Sequence, residues 1–271
     1  MIKAAISPVL AAVVVLLSAS LAQGADMAPL EEAPRRPAAP GTAPFGWVFQ
    51  VTPYVWAAGM EGDVSPFRRA PTVHVEKSFS DILDDLNFAS FVNFWARNDR
   101  FVVSGDVIYV NITESATTGP LPIIGAVRAD YDTTQFAATL QAGYRVYDTP
   151  QFTFDLMGGA RYWRIWNDLN VHVTGRTFKL ESEFDWLDPV IGARAHFHLT
   201  DRFSILVQGD VGGFGVGSDF TWQMLTTANY SFNDKLALSA GYKVLSVDYE
   251  DDGHVFDTTL SGPVLGMTFR F

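Results

Sequence analysis

Beyond Trp47, apolar and polar residues alternate with a period of two along most of the chain, which predicts strands rather than helices. The alternation is clearest at the end. Leu265, Met267, Phe269 and Phe271 share one phase, and Val264, Gly266, Thr268 and Arg270 share the other. Chain ends usually fray into water, so an apolar terminal strand fits a transmembrane β-barrel, whose outer face meets lipid and inner face the lumen. The same phasing sets Phe136, Ala138, Leu140, Ala142, Tyr144 and Val146 outward, against Thr133, Gln135, Thr139, Gln141 and Arg145. It also sets Ile191, Ala193, Ala195, Phe197 and Leu199 against Asp188, Arg194, His196 and His198. A soluble β-sandwich shares such alternation, and the terminal Phe with an export signal decides for the barrel.

Short turns at 98–100, 148–150, 200–202 and 233–235 separate these runs from longer connections near 62–86, 115–129, 166–185 and 251–257. Strands are expected near 47–61, 87–97, 101–114, 130–147, 152–166, 185–199, 203–213, 219–232, 236–250 and 258–271. The fold class is therefore all-β, a transmembrane antiparallel up-and-down barrel of about ten strands. Twelve result if pieces of the first and third long connections join the wall. Tyr54, Tyr144, Tyr162, Tyr242, Trp47, Trp222 and Phe271 are candidates for the interfacial girdles.

Toward the long connections the two faces exchange character. Asp168, Asn170, His172, Lys179, Glu181 and Glu183 fall outward, while Leu169, Val171, Val173, Phe178, Leu180, Phe184 and Trp186 fall inward. Trp56, Met60, Val110, Ile112, Val247, Tyr249, Phe256 and Leu260 follow the inward phase. A wall that leaves lipid for water should reverse in this way, so it is expected to project and enclose an apolar mouth. A short helix over 78–86 is predicted at that mouth, with Ser78 as cap and Asp81 three residues on. Phe79, Ile82, Leu83 and Leu86 share one of its faces, which suits a lid or a groove for an apolar ligand.

The N-terminus adds location. Lys3 precedes an apolar run to Leu17 and small residues near Ala22 and Gly24, the form of a signal peptide over 1–24. Residues 25–46, rich in Pro and Ala, read as a periplasmic linker, and 47–271 as the barrel. There is no cysteine, which excludes disulfides and thiolate metal sites, and the net charge of −11 argues against nucleic acid.

The inward phase collects Arg97, Arg145, Arg161, Arg194, Lys243 and Arg270 with Asp106, Asp155, Asp188 and Asp210. Opposite charges crowded in a narrow lumen are expected to pair, since unpaired buried charge is expensive; the other reading is a narrow, anion-favouring pore. His196 and His198 make an incomplete metal set, and no Gly-x-Ser-x-Gly elbow appears. Neither a metal, a cofactor nor an enzymatic activity is expected.

Several stretches carry a resemblance: Thr52-Pro53-Tyr54-Val55-Trp56, Phe79-Ser80-Asp81-Ile82-Leu83, Gly105-Asp106-Val107-Ile108-Tyr109, Gly143-Tyr144-Arg145, Gly159-Ala160-Arg161-Tyr162-Trp163 and Gly241-Tyr242-Lys243. With the ending, they make 47–271 resemble a group of Gram-negative outer-membrane barrel proteins, OmpA-like or porin-like in the broad sense. The resemblance implies location and fold and supplies no activity. The expected partners are outer-membrane lipid and lipopolysaccharide, and the barrel-assembly machinery through the terminal strand. The expected role is a structural, surface-exposed barrel with a largely filled lumen; the alternative is a narrow channel or a barrel that binds or transports a small solute or apolar ligand.

Overall fold

The period-two segments build one continuous antiparallel wall. In the computed structural model, residues 46–68, 70–117, 127–173 and 176–271 are described. The expected signal peptide and all of the expected linker but Gly46 lie outside them. The strands are β1 (Trp47–Trp56), β2 (Gly59–Ser65), β3 (Val73–Lys77), β4 (Leu86–Asn98), β5 (Phe101–Thr117), β6 (Val127–Asp148), β7 (Phe152–Val173), β8 (Arg176–His198), β9 (Phe203–Gly213), β10 (Phe220–Ser231), β11 (Leu236–Asp251) and β12 (His254–Arg270). Among the described residues one helix, α1 (Phe79–Asp85), precedes β4.

Ten strands close the barrel. β1 and β4 to β12 pair in order, and β12 returns to β1 with Gln50 opposite Arg270 and Tyr54 opposite Gly266. Backbone N–H groups of Phe49 and Phe271 donate to each other's carbonyls at 3.2 and 2.9 Å, so the terminal residue completes the seam. Closure leaves no free edge through this part of the wall, which a membrane requires. Outward-facing Leu140, Leu156, Ile191, Met224 and Leu265 are each about half exposed, a belt of apolar side chains that only lipid can cover. Phe101, Tyr144, Phe203, Tyr230 and Phe271 are exposed beside the short turns, as a girdle should be.

The two extra strands come from the first long connection, one of the two sources expected. β1 breaks at Ala57-Ala58, where the Ala57 N–H donates to the Pro263 carbonyl at 2.9 Å, and β2 continues the climb alongside β12. β3 then pairs with β2, Met60 opposite Lys77. The third long connection instead lengthens β7 and β8 to 22 and 23 residues. The expected long connection at 251–257 is a tight hairpin. Asp252 and Gly253 both take positive φ (48° and 82°), and Asp251 pairs with His254 across a two-residue turn.

Side α1 bridges the place where the wall is incomplete. β1 and β4 separate above Tyr54 and Phe91, and β3 and β5 do not pair. Ser78 caps the helix, its Oγ accepting from the Asp81 N–H while the Asp81 carboxylate accepts from the Ser78 N–H at 3.0 Å. Lys77 ties the two sides, donating to Glu114 of β5 at 2.6 Å and to Asp85 at 3.4 Å. The helix buries no residue: Phe79 and Leu83 are more than one third exposed, and Ile82 is half-buried. It is a piece of the rim, not a plug descending into the lumen.

Candidate functional site: the barrel interior

Three layers of inward side chains succeed one another along the barrel axis. Nearest the short turns, β6, β7 and β8 bring Arg145, Asp155 and Arg194 together. Arg145 donates to the fully buried Asp155 through Nε at 2.7 Å and Nη2 at 3.3 Å, and Arg194 Nη1 lies 3.6 Å from the same carboxylate. Both guanidinium groups stack over Trp95 of β4, at 5.5 and 4.7 Å from the ring centre. Arg97 and Arg270 line a cavity of about 290 Å³ below this layer.

The middle layer crosses the barrel. Lys243 of β11 donates to Asp106 of β5 at 2.5 Å and to the Tyr54 hydroxyl of β1 at 2.8 Å, and that hydroxyl donates to Asp106 at 3.0 Å. Beside it, Arg161 donates to Asp210 at 2.7 Å and to Thr139 and Thr221 at 3.0 Å each. Asp188 takes a different solution. It is fully buried and accepts from Trp186 Nε1 at 3.0 Å and from the Ser218 N–H at 2.6 Å, with no cation within ion-pair reach among the described residues.

Above lies an aromatic stack. Trp186 faces Tyr249 at 4.0 Å and Trp163 at 5.6 Å, and Phe184 extends the pile to Tyr249 and His254. Trp56, Ile108, Ile165, Leu245, Val247, Phe256 and Val264 surround it as one buried cluster. β9 and β10 end lower than their neighbours, so β8 has no paired strand above Val190 on that side, and the rings of β8 and β11 meet across the interval. Between this cluster and the helix a cavity of about 130 Å³ is lined by Met60, Ile82, Ile112, Ile165, Phe184 and Phe256.

The predicted lumenal charges do lie inside, and seven of the ten enter short ion pairs. Arg97 reaches Asp148 only at 4.0 Å, and Arg270 donates to Ser231 at 3.1 Å. Leu265, Phe269 and Phe271 face outward as expected, with Met267 half-buried in the same phase.

Two expectations change. Tyr54 is not a girdle residue; it shares its phase with Gln50, Thr52 and Trp56 and points into the middle layer. Phe178 and Leu180 do not line the mouth. They are about half exposed on the β7–β8 hairpin, because the short β9 and β10 leave no opposing wall at that height. Trp95, which sequence reasoning did not single out, follows the same phase as Arg97 and Asn93 and could have been found by parity.

Comparison with solved structures places this architecture. The outer-membrane protease OmpT of Escherichia coli superposes with a TM-score of 0.52 at 9% identity, covering 84% of this chain and 98% of that one. The fold is that of an outer-membrane β-barrel. The translocator domain of the autotransporter NalP from Neisseria meningitidis also aligns, with a TM-score of 0.47 at 11% identity over 85% and 91% of the two chains. No family model and no curated protein matches the chain. At such identities the likeness concerns fold and not activity. Among the described residues, no group of three or more His, Asp or Glu is placed to hold a metal ion.

Proposed function

We propose that the protein is an integral outer-membrane barrel with a structural, surface-exposed role, whose lumen is closed to solutes. One observation carries this reading: a buried apolar cluster drawn from six strands, Trp56, Ile108, Trp163, Trp186, Tyr249 and Phe256, meets in the interior above ion pairs that are themselves buried, with Arg161 and Lys243 each 1% exposed. A conducting pore needs hydrated, accessible charge, and ten strands lie close to the size at which side chains alone occupy a barrel. What remains available for contact is the projecting rim.

The experiment is single-channel recording of the refolded mature protein in planar bilayers, beside a variant lacking residues 78–86. Silence in both is the expected result. Steady conductance in the intact protein refutes the closed lumen, and anion preference lost in Arg145→Ala would place the path through it. Conductance in the deletion alone would make α1 the barrier.

A second reading, binding of a small apolar ligand at the mouth, is favoured by the cavity beneath Ile82. Its wall includes Asn167, whose Nδ2 is buried without a partner among the described residues, while its Oδ1 accepts from Tyr131 at 2.6 Å. An apolar molecule with one acceptor atom would satisfy that donor. Quenching of the neighbouring tryptophans by small aromatic alcohols, lost in Asn167→Leu, tests it.

A further inference from the structure

We propose that the end of the barrel beside the short turns, the periplasmic end, is a binding site for a phosphate-bearing anion, held by guanidinium groups from β4, β6, β8 and β12. The cavity of about 290 Å³ at this end is lined by Arg97, Arg145, Arg194, Arg202 and Arg270. Three carboxylates answer these five cations: Asp155, Asp148 and Asp201. Among the turn charges outside them, Asp99 and Asp234 stand beside Arg100 and Lys235, and Asp234 also attracts Arg270 from beyond ion-pair distance.

The carboxylates are already shared. Asp155 serves both Arg145 and Arg194, and Asp148 lies 3.5 Å from Arg145 and 4.0 Å from Arg97. Arg194 is 6% exposed, so its charge is not solvated as a surface arginine's would be. Arg97 donates through Nη1 to the Asp99 carbonyl at 2.7 Å, its Nε is buried without a partner among the described residues, and Arg270 meets the Ser231 hydroxyl but no carboxylate within ion-pair distance among them. Arg145 and Arg194 are both buried against the one buried carboxylate of Asp155, an excess of buried cation that is costly and that an entering dianion reduces.

Chemistry selects the class of anion. Guanidinium forks match the tetrahedral oxygens of phosphate, and Arg97, Arg145, Arg194 and Arg270 approach from four different strands, with Arg202 on the β8–β9 turn. Stacking on Trp95 fixes the planes of Arg145 and Arg194 before any ligand arrives. Thr153, Ser204 and Ser231 add hydroxyls around the same cavity. The volume admits a phosphate with part of its organic group, and the opening faces both soluble periplasmic phosphomonoesters and phospholipid headgroups of the inner leaflet. The site lies on the far side of the buried ion pairs from the aromatic stack, so it stands whether or not the lumen conducts.

The test is a titration of the refolded full mature chain in uncharged detergent at constant ionic strength, followed by calorimetry and ³¹P NMR. Inorganic phosphate, glycerol phosphate and short-chain phosphatidylglycerol are added in separate arms, with chloride as the reference. Saturable one-to-one binding at least tenfold tighter than chloride is expected. Binding of the soluble phosphates assigns a soluble ligand, and binding only of the phosphatidylglycerol assigns a lipid headgroup. Arg194→Gln should weaken binding at least tenfold, and Arg128→Gln, at the other end of the barrel, should leave it unchanged. If Arg194→Gln does not refold, the double variant Arg97→Gln/Arg270→Gln, whose side chains are less buried, should show the same loss. Absence of saturation in all three arms overturns the proposal, as does unchanged affinity in a folded arginine variant.

Discussion

Replacing Lys243 by Met measures whether water reaches the middle of the lumen. Lys243 is 1% exposed and Asp106 6%, and their Nζ and Oδ2 atoms are 2.5 Å apart. Unit charges about 4 Å apart attract by about 4 kcal/mol at an effective dielectric constant near 20, and by about 1 kcal/mol in bulk water. Removing one partner of a buried pair leaves the other stranded and costs about 3–5 kcal/mol, whereas a hydrated pair costs about 1 kcal/mol or less. Lys243→Met should therefore lose about 3–5 kcal/mol, and the isosteric double variant Asp106→Asn/Lys243→Met should recover most of it. Urea unfolding of the protein in lipid vesicles provides the measurement, and Trp56, whose ring centre is 4.9 Å from Lys243 Nζ, provides a local fluorescence signal. A folded Lys243→Met protein within about 1 kcal/mol of the parent would refute the argument, since it would mean that water solvates Asp106. Tyr54→Phe gives an intermediate check, with an expected loss of about 1–3 kcal/mol as the hydroxyl bridging the pair disappears.

Trp186→Ala should cost about 3–5 kcal/mol, because the ring is 5% exposed and stacks on three neighbours, and a conductance appearing in this variant would locate the seal in the aromatic layer. The helix should be acid-sensitive. Hydrogen bonds from Ser78 hold the Asp81 carboxyl below its ordinary range, so its contribution is complete above about pH 4 and lost as pH falls through the lower folded value; pepsin cutting within 79–86 should rise accordingly between pH 4 and 2, and should not in Ser78→Ala. Deleting Phe271 removes both backbone bonds to Phe49 and should slow membrane assembly, measured by the heat-modifiable band on gels; unchanged assembly would remove the terminal residue from that role.

Parity along the chain carried most of the architecture, because a strand's two faces are read directly from its residues. The inward set from Arg97 to Arg270 and the outward ending are local properties and appear where the pattern puts them. Tyr54 has a residue type suited to a girdle, yet its phase, shared with Gln50 and Trp56, turns it inward. Phe178 and Leu180 have the inward parity, yet burial needs an opposing wall, and that depends on how high β9 and β10 climb. Helix α1 was legible because its capping box is local, whereas its position in the β3–β5 interval depends on pairings distant in sequence. The partners of each lumenal charge were illegible for the same reason: Asp188, with a tryptophan and a backbone amide, looks no different in sequence from Asp155.

The unequal strands give the barrel an obliquely cut outline. At about 3.3 Å per residue and a tilt of about 40°, the 23 residues of β8 rise roughly 58 Å, and the 11 of β9 only about 28 Å, near the thickness of a bilayer core. One flank, from β5 to β8, thus stands clear of the lipid like the tall side of a funnel, while the β9–β10 flank stops at the headgroups. For the surface-exposed role proposed above, contact with the cell's surroundings would be lopsided. Antibodies raised against intact cells should map to the β5–β8 side.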